Sequence, residues 1–238
     1  MNRTTMGNSQ RRAFPARFNL RVLRVLRGGG LIHMRTVSTT VLIAAVLAAS
    51  VSCGDVVRQG RAPSMLVINQ LTGASGGGHG ANTFSGTLYS DVQVLLTTPA
   101  PCTAASPCPT LFSDSGQASV SLVMKDATLV PTSNNQVTIN RYHIEYLRAD
   151  GRNTPGVDVP YSFDGAVTGT VVGNASTTFT FELVRHVAKQ ESPLVQLIQS
   201  SKIISTIANV TFYGQDAVGN EISVTGSLLI EFGNFGDT

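Results

Sequence analysis

Histidine side chains are the first candidates for chemistry in this chain, because an imidazole exchanges a proton near neutral pH. His79, His143 and His186 lie far apart in the sequence. No H-E-x-x-H segment accompanies them, and catalysis by histidine needs a nucleophile or a water held by a second group. The sequence therefore predicts no catalytic residue, no metal site and no cofactor. A hydrolase that uses one of these histidines is the alternative.

Acidic and amide side chains cluster in residues 148–160, RADGRNTPGVDVP. Asp150, Asn153 and Asp158 could converge on calcium, which takes roughly 6–8 oxygen ligands. The segment lacks the regular spacing and the final Glu of an EF-hand loop. We therefore expect turns here, with calcium binding as the alternative.

The Gly-rich segment 72–83, TGASGGGHGANT, has some features of a phosphate-binding loop. A phosphate loop continues into a Lys-Ser/Thr pair and a helix, and this segment continues into neither. We expect a mobile loop in which His79 is solvated.

An apolar run, VLIAAVLAASVSC, occupies residues 41–53 and follows Met34 and Arg35. A basic residue, an apolar core of roughly 7–15 residues and small residues at its end are typical of a secretory signal peptide. A membrane-spanning helix needs about 20 apolar residues, more than this run provides. The sequence predicts a signal peptide at 34–52, with an N-terminal anchor or a buried helix as the alternative.

The end of that run, Ser50-Val51-Ser52-Cys53, resembles the lipobox of bacterial lipoproteins. That family usually carries Leu, Val or Ile where this chain has Ser50. The resemblance implies that the Cys53 thiol receives diacylglycerol and anchors the protein to a membrane of the bacterial cell envelope, facing the periplasm or the exterior. Cleavage after Ser52 without lipid is the alternative.

The first 35 residues contain eight basic residues and no acidic one. A transit peptide or a nucleic-acid-binding arm has a similar composition. Met34-Arg35 already supplies the short basic head of a signal peptide, so we interpret residues 1–33 as an extension that is not part of the biological protein.

The charge after Cys53 is acidic, since this part holds nine basic and all fourteen acidic residues, a net charge of −5. Neutralising phosphates requires clustered Lys and Arg. We therefore expect no nucleic acid among the partners.

Cys102 and Cys108 lie in the proline-rich segment TPAPCTAASPCPT, residues 98–110. If Cys53 carries lipid, they are the two remaining thiols of an exported chain, and an oxidising compartment favours a bond between them. Two free loop cysteines are the alternative.

Apolar residues alternate along most of the chain after a polar tether at 53–63, which predicts one β domain at 64–238. Residues 137–147 change phase near Asn140-Arg141, which predicts a β-bulge and an outward polar ladder containing His143. A catalytic pair of His143 and Glu145 is the alternative.

Two further elements follow in the sequence. Residues 165–184 predict a hairpin that turns at 173–176. Ser192 and Pro193 predict the start of one short helix, with an apolar stripe that begins at Leu194.

The segment 210–220, VTFYGQDAVGN, resembles the final hairpin of bacterial immunoglobulin-like domains. Tyr142-x-Ile144-x-Tyr146 is similar to the middle strand of fibronectin type III-like modules. The whole chain resembles uncharacterised bacterial lipoproteins that carry one such domain. The resemblance implies an all-β fold, an antiparallel immunoglobulin-like β-sandwich with one short helix between late strands.

The expected function is a membrane-tethered, non-enzymatic binding or structural module that binds a protein or glycan through loops. The expected binding loops are 72–83, 148–160 and 214–221. A carbohydrate-binding module is a further alternative. It would require Tyr89, Tyr161 and Tyr213 to line up on one face.

Overall fold

The computed structural model describes residues 60–236, and these residues are mostly β-strand. The all-β class is therefore confirmed. Cys53, the signal peptide at 34–52 and the extension at 1–33 lie outside the described residues. The ten strands are β1 Ser64–Ala74, β2 Thr87–Asp91, β3 Val94–Leu96, β4 Cys108–Thr110, β5 Asp114–Met124, β6 Val137–Leu147, β7 Phe163–Val171, β8 Ser176–Val184, β9 Ile204–Asp216 and β10 Glu221–Gly233.

These strands form two main sheets. One has the order β1-β5-β8, the other has the order β2-β10-β9-β6-β7, and β3 and β4 form a small separate sheet. The predicted antiparallel pairing is correct for every pair except one, because β2 lies parallel to β10, with Thr87 opposite Leu229. The parallel pairing of β2 has a physical cause. A long excursion after β1, residues 75–86, carries the chain to the other sheet, so β2 reaches β10 without a hairpin.

The two main sheets share one core, which the alternation of apolar residues predicts. On β5, Ala118, Val120 and Leu122 are buried, whereas the intervening serines are only half-buried. Aromatic rings join the sheets: Phe181 of β8 lies 5.2 Å from Tyr142 of β6, measured between ring centroids. Phe181 also lies 5.2 Å from Phe212 of β9.

The predicted bulge in β6 is confirmed, because the register of β6 shifts between Ile139 and Arg141 against both neighbours. Ile139 and Tyr142 can therefore both be buried although they differ in phase. The shift turns Arg141 and His143 to the outer face of the five-stranded sheet.

The predicted hairpin at 165–184 is wrong. Strand β7 pairs with β6, β8 pairs with β5, and the short connection 172–175 crosses from one sheet to the other. Phe179 and Phe181 of β8 do face inward as predicted. Two strands that each bury one face can enclose a core from opposite sides as readily as they can pair, and alternation alone does not separate the two arrangements.

The predicted helix lies between late strands, as expected, but its form differs. A five-residue helix, α1 His186–Gln190, comes first, and Leu194–Leu197 forms a 3-10 helix. The Ser192 side chain does not cap the latter, and its hydroxyl instead accepts a hydrogen bond from Gln196. Leu194 and Leu197 are buried, so the apolar stripe is correct although it belongs to a tighter helix.

The last hairpin agrees with its prediction. Strands β9 and β10 pair along their length, from Gln215 opposite Glu221 onward. The Asp216 carboxylate accepts hydrogen bonds from the backbone N–H groups of Val218, at 3.1 Å, and Asn220, at 2.8 Å. Gly219 has φ +87°, a conformation in which other residues are strained.

Phe212 is fully buried between the two sheets, so replacing it with alanine should remove a large contact. We expect Phe212→Ala to lower the free energy of unfolding by about 3–5 kcal/mol. Val218 is 69% exposed in the β9–β10 turn, and Val218→Ala should change stability by less than about 0.5 kcal/mol. Urea denaturation of both variants measures the difference. Similar losses in the two variants would contradict this description of the core.

Candidate functional site

Most of the long connections lie at one end of the two sheets, since four of the five connections of twelve or more residues do. Ser64 begins β1 opposite Met124, and the connection 125–136 and the turns 172–175 and 217–220 lie at the same end as Ser64, called here the Ser64 end. The opposite end, called here the loop end, carries segments 75–86, 92–113, 148–162 and 185–203. Two of the expected binding loops, 72–83 and 148–160, therefore emerge at the loop end, whereas 214–221 lies at the Ser64 end.

A buried ion pair holds the loop end together. Lys189 Nζ on α1 lies 2.9 Å from Asp114 Oδ1 at the start of β5, and both side chains are 0% exposed. Lys189 Nζ also donates a hydrogen bond of 2.7 Å to the backbone carbonyl of Asp91, the last residue of β2. One ammonium group therefore connects α1 with β5 of the three-stranded sheet and with β2 of the five-stranded sheet.

Both oxygens of the Asp114 carboxylate have further donors. The Ser90 hydroxyl donates to Oδ2 at 2.5 Å, and the backbone N–H of Gly76 donates to Oδ1 at 3.0 Å. Buried charges are tolerated when they are paired and fully hydrogen-bonded. This site could not be predicted from the sequence, since an isolated Asp and an isolated Lys 75 residues apart carry no local signal.

Burial raises the pKa of Asp114 because it disfavours the carboxylate, while the charge of Lys189 and the hydrogen bond from Ser90 oppose that effect. The site is thus a low-dielectric environment, in which a few neighbouring groups determine whether the Asp114 carboxyl holds a proton. Tyr146 is buried close by, and its hydroxyl donates to the carbonyl of Leu183 at 2.7 Å. Burial raises the pKa of Tyr146 as well, so its hydroxyl stays protonated.

The Gly-rich segment packs directly on this ion pair. A side chain at Gly76 would collide with the carbonyl of Ser113, and one at Gly78, which has φ +70°, would collide with the carboxylate of Asp91. The segment is anchored further by the hydrogen bond from Asn82 N–H to the Ser75 carbonyl, 2.9 Å long. The glycines therefore permit close approach of backbone to the buried charges, which a phosphate-loop comparison would not reveal.

His79 extends from this segment into an aromatic cluster. Its ring centroid lies 5.6 Å from that of Tyr89 and 5.9 Å from that of Phe235, near the C-terminus. Tyr89 and Phe235 meet edge to face at 5.8 Å. His79 is exposed in its loop, as predicted, and it also has two ring neighbours.

The other two histidines lie elsewhere. His143 is on the outer face of the five-stranded sheet, where its Nδ1 lies 3.2 Å from Asp164 Oδ1. His186 is exposed at the start of α1. His79 and His186 therefore belong to different segments of the loop end, whereas His143 lies on the face of the sheet. Within residues 60–236, no group of three or more His, Cys, Asp or Glu side chains could hold a metal ion.

The outer face of the five-stranded sheet carries the predicted polar ladder. Thr211 and Thr225 are hydrogen-bonded at 2.9 Å, and Ser227 donates to Asn209 at 2.7 Å. A shallow groove of about 440 Å³ lies near the Ser64 end of this face. It is lined by Asn140, Arg141, Tyr213, Gly214, Gln215, Glu221, Ile222 and Ser223.

The three tyrosines of the carbohydrate alternative are separated. In the register of the sheet, Tyr89 lies beside Glu231, which pairs with Ser205, eight residues along β9 from Tyr213. Eight strand residues span about 26 Å. The guanidinium of Arg141 already covers the ring of Tyr213 at 4.2 Å, and Tyr161 precedes β7. The three rings therefore do not form one stacking surface.

The oxygens of the calcium alternative each have other partners. The Asp150 carboxylate accepts two hydrogen bonds from the Arg148 side chain, at 3.1 and 2.7 Å, and two from Arg152, at 3.1 Å from Nε and 3.2 Å from the backbone N–H. Asn153 Oδ1 accepts from the Arg148 N–H at 2.6 Å, and Asp158 accepts from the backbone of Thr154. These bonds tie the loop to the end of β6.

Arg148 and the backbone of Arg152 lower the pKa of Asp150 to about 2, because both hydrogen-bond its ionised form. The unfolded chain should titrate near pH 4. The contribution of Asp150 to stability is therefore present above about pH 4 and is lost as the pH falls toward the folded pKa. NMR titration of the Asp150 side-chain carboxyl should report a pKa near 2. An ordinary value would contradict this pairing.

Cys102 and Cys108 form the predicted disulfide, with sulfur atoms at bonding distance and Cα atoms 5.3 Å apart. Cys108 begins β4, which pairs with β3 through Leu96 opposite Cys108. The bond therefore closes a short loop against the small two-stranded sheet.

Removing this disulfide should destabilise the domain without unfolding it. The chain-entropy account gives about 2 kcal/mol for so short a loop. We expect the double variant Cys102→Ser, Cys108→Ser to lose about that amount in urea denaturation. An unchanged unfolding midpoint, or thiol labelling of both cysteines in the unreduced, denatured wild-type protein, would contradict the bond.

None of the helices within residues 60–236 has both the length and the hydrophobicity to cross a membrane. Comparisons of the chain with protein-family models, with curated proteins and with solved structures found no match.

Proposed function

We propose that this protein is a bacterial envelope lipoprotein, anchored through lipid on Cys53, whose β domain is a non-enzymatic binding or structural module. The anchor is supported by the apolar run at 41–53 and by its small residues before the cysteine. The acidic charge after Cys53 favours a soluble domain without a nucleic-acid partner.

The position of the loops is the observation that carries this proposal. Cys53 precedes Ser64 by eleven residues, so the tether from a membrane anchor would enter the domain at the Ser64 end. Four of the five connections of twelve or more residues emerge at the opposite end, and 125–136 is the exception. An anchored domain would therefore present its loops away from the membrane, on a rigid two-sheet scaffold, which is the usual arrangement for recognition.

An immunoglobulin-like topology is part of the proposal. The order β1-β5-β8 would correspond to strands A, B and E, and β7-β6-β9-β10 to strands C′, C, F and G. The crossing from β7 to β8 between sheets fits this correspondence. Such folds carry binding surfaces on end loops more often than internal pockets.

The disulfide supports export. Cysteine pairs persist in oxidising compartments, and the Cys102–Cys108 bond lies in segment 92–113 of the loop end. It restrains one of the segments that the proposal assigns to binding.

The lipid anchor is tested by replacing Cys53 with alanine in cells that produce the full chain. We expect wild-type protein in the membrane fraction and Cys53→Ala in the soluble fraction. Mass spectrometry of the native N-terminal peptide should find diacylglycerol on Cys53. An unmodified Cys53 there would refute the anchor.

The binding surface is tested by photo-crosslinking in the same cells. A photoreactive amino acid replaces Val157, 65% exposed at the loop end, or Val218, 69% exposed at the Ser64 end. We expect discrete cross-linked products from the Val157 position and few from the matched Val218 position. Equal labelling at both positions would oppose binding through the loop end. Substrate turnover that disappears in His143→Ala or His186→Ala would favour the hydrolase instead.

A further inference from the structure

Lys189 and Asp114 are a primary amine and a carboxyl group held in contact away from water. Their atoms Nζ and Oδ1 lie 2.9 Å apart, and both side chains are fully buried. Because the fold already holds the two groups in contact, their reaction avoids the entropy cost of bringing an amine and an acid together in solution. We propose that Lys189 Nζ and the Asp114 carboxyl condense into an intramolecular amide bond in the folded protein.

The reaction begins with a proton transfer. In the ion pair, Lys189 Nζ donates its hydrogen bond to Asp114 Oδ1. Passing that proton to Oδ1 gives a neutral amine and a carboxylic acid. Burial favours this neutral pair over separated charges and raises the pKa of Asp114. The neutral amine then has the lone pair that a nucleophile needs.

The carboxyl carbon is activated by the two donors already in place. Because Oδ1 carries the proton, attack on Cγ moves negative charge onto Oδ2, which accepts the hydrogen bond of the Ser90 hydroxyl. The Gly76 N–H donates to Oδ1, the oxygen that leaves. Preorganised donors in a dry site stabilise such a charge strongly. The hydrogen bonds that satisfy the ion pair therefore also favour the condensation.

The reaction balances without any co-reactant. The Nζ–Cγ bond forms and the Cγ–Oδ1 bond breaks. Starting from the ammonium and the carboxylate, Nζ gives up two protons, and both leave with Oδ1 as one water molecule. No atom is oxidised or reduced.

The product fits the surroundings of the ion pair. The amide nitrogen keeps one hydrogen, which can still donate to the Asp91 carbonyl, 2.7 Å from Nζ. The remaining oxygen, Oδ2, keeps its hydrogen bond from Ser90. Water is excluded from the site, which disfavours hydrolysis of the bond. The bond would join β5 to α1 across 75 residues of chain.

The test is tryptic mapping of the full-length protein after reduction and alkylation. Trypsin cuts after Arg61, Lys125, Arg185 and Lys202, but not after a lysine whose amine is in an amide. We expect residues 62–125 joined to residues 186–202, lighter than the two separate peptides by the mass of one water molecule. Separate peptides 62–125 and 186–189 would overturn the proposal.

A variant and a control locate the bond. Lys189→Met should abolish the joined species, whereas Lys202→Arg, at an exposed lysine on the same segment, should retain a joined species with the same loss of water. If Lys189→Met does not fold, the wild-type map still decides. Loss of water only at Asp150-Gly151, where an Asp-Gly pair can cyclise, with no joined species, would also overturn the proposal.

Discussion

Lys189 and Asp114 form an ion pair that has no contact with solvent, so each charge is compensated only by the groups around it. Removing two charges from water is costly, and such a pair persists only with good geometry and additional hydrogen bonds. Ser90, Gly76 and the Asp91 carbonyl supply those bonds. Loss of one partner would leave an uncompensated charge, which typically costs about 3–5 kcal/mol.

The rest of the loop end depends on this pair because its partners come from distant parts of the chain. Lys189 is 98 residues from Asp91 in sequence. Asp91 ends β2 opposite Gly233 of β10, and the next residue, Val92, donates to the Gly233 carbonyl at 2.9 Å. One buried ammonium group thus lies where three elements come together. These are the Gly-rich segment, α1 and β2, which pairs in parallel with β10. The Ser64 end is held differently, by hairpin hydrogen bonds around Asp216.

Features with a local signal could be predicted from the sequence. Alternation located β5, β6 and the last hairpin, and the phase change near Asn140 located the bulge. The Cys102–Cys108 disulfide could be predicted because the sequence offers few other thiols as bonding partners. Sheet membership could not be predicted, since β7 and β8 alternate in the same way whether they pair or face each other. The buried ion pair was also missed, because lone charged residues look like surface residues until the fold encloses them.

The glycines of segment 72–83 also show that contacts between distant residues could not be predicted from the sequence. Their composition predicts a loop over 72–83, but β1 extends through Ala74 and includes Gly73, so the loop begins at Ser75. Their actual role, allowing backbone to reach Asp114 and Asp91, depends on residues far away in sequence.

Hydrogen exchange most directly tests whether the buried pair holds the loop end together. The amides compared are those of segment 75–81, where Gly76 N–H donates to Asp114, and the Asn220 amide, which donates to Asp216. In wild-type protein both should be protected. In Lys189→Met we predict much faster exchange in 75–81 with little change at Asn220. Equal acceleration at both ends, or none at 75–81, would contradict the account.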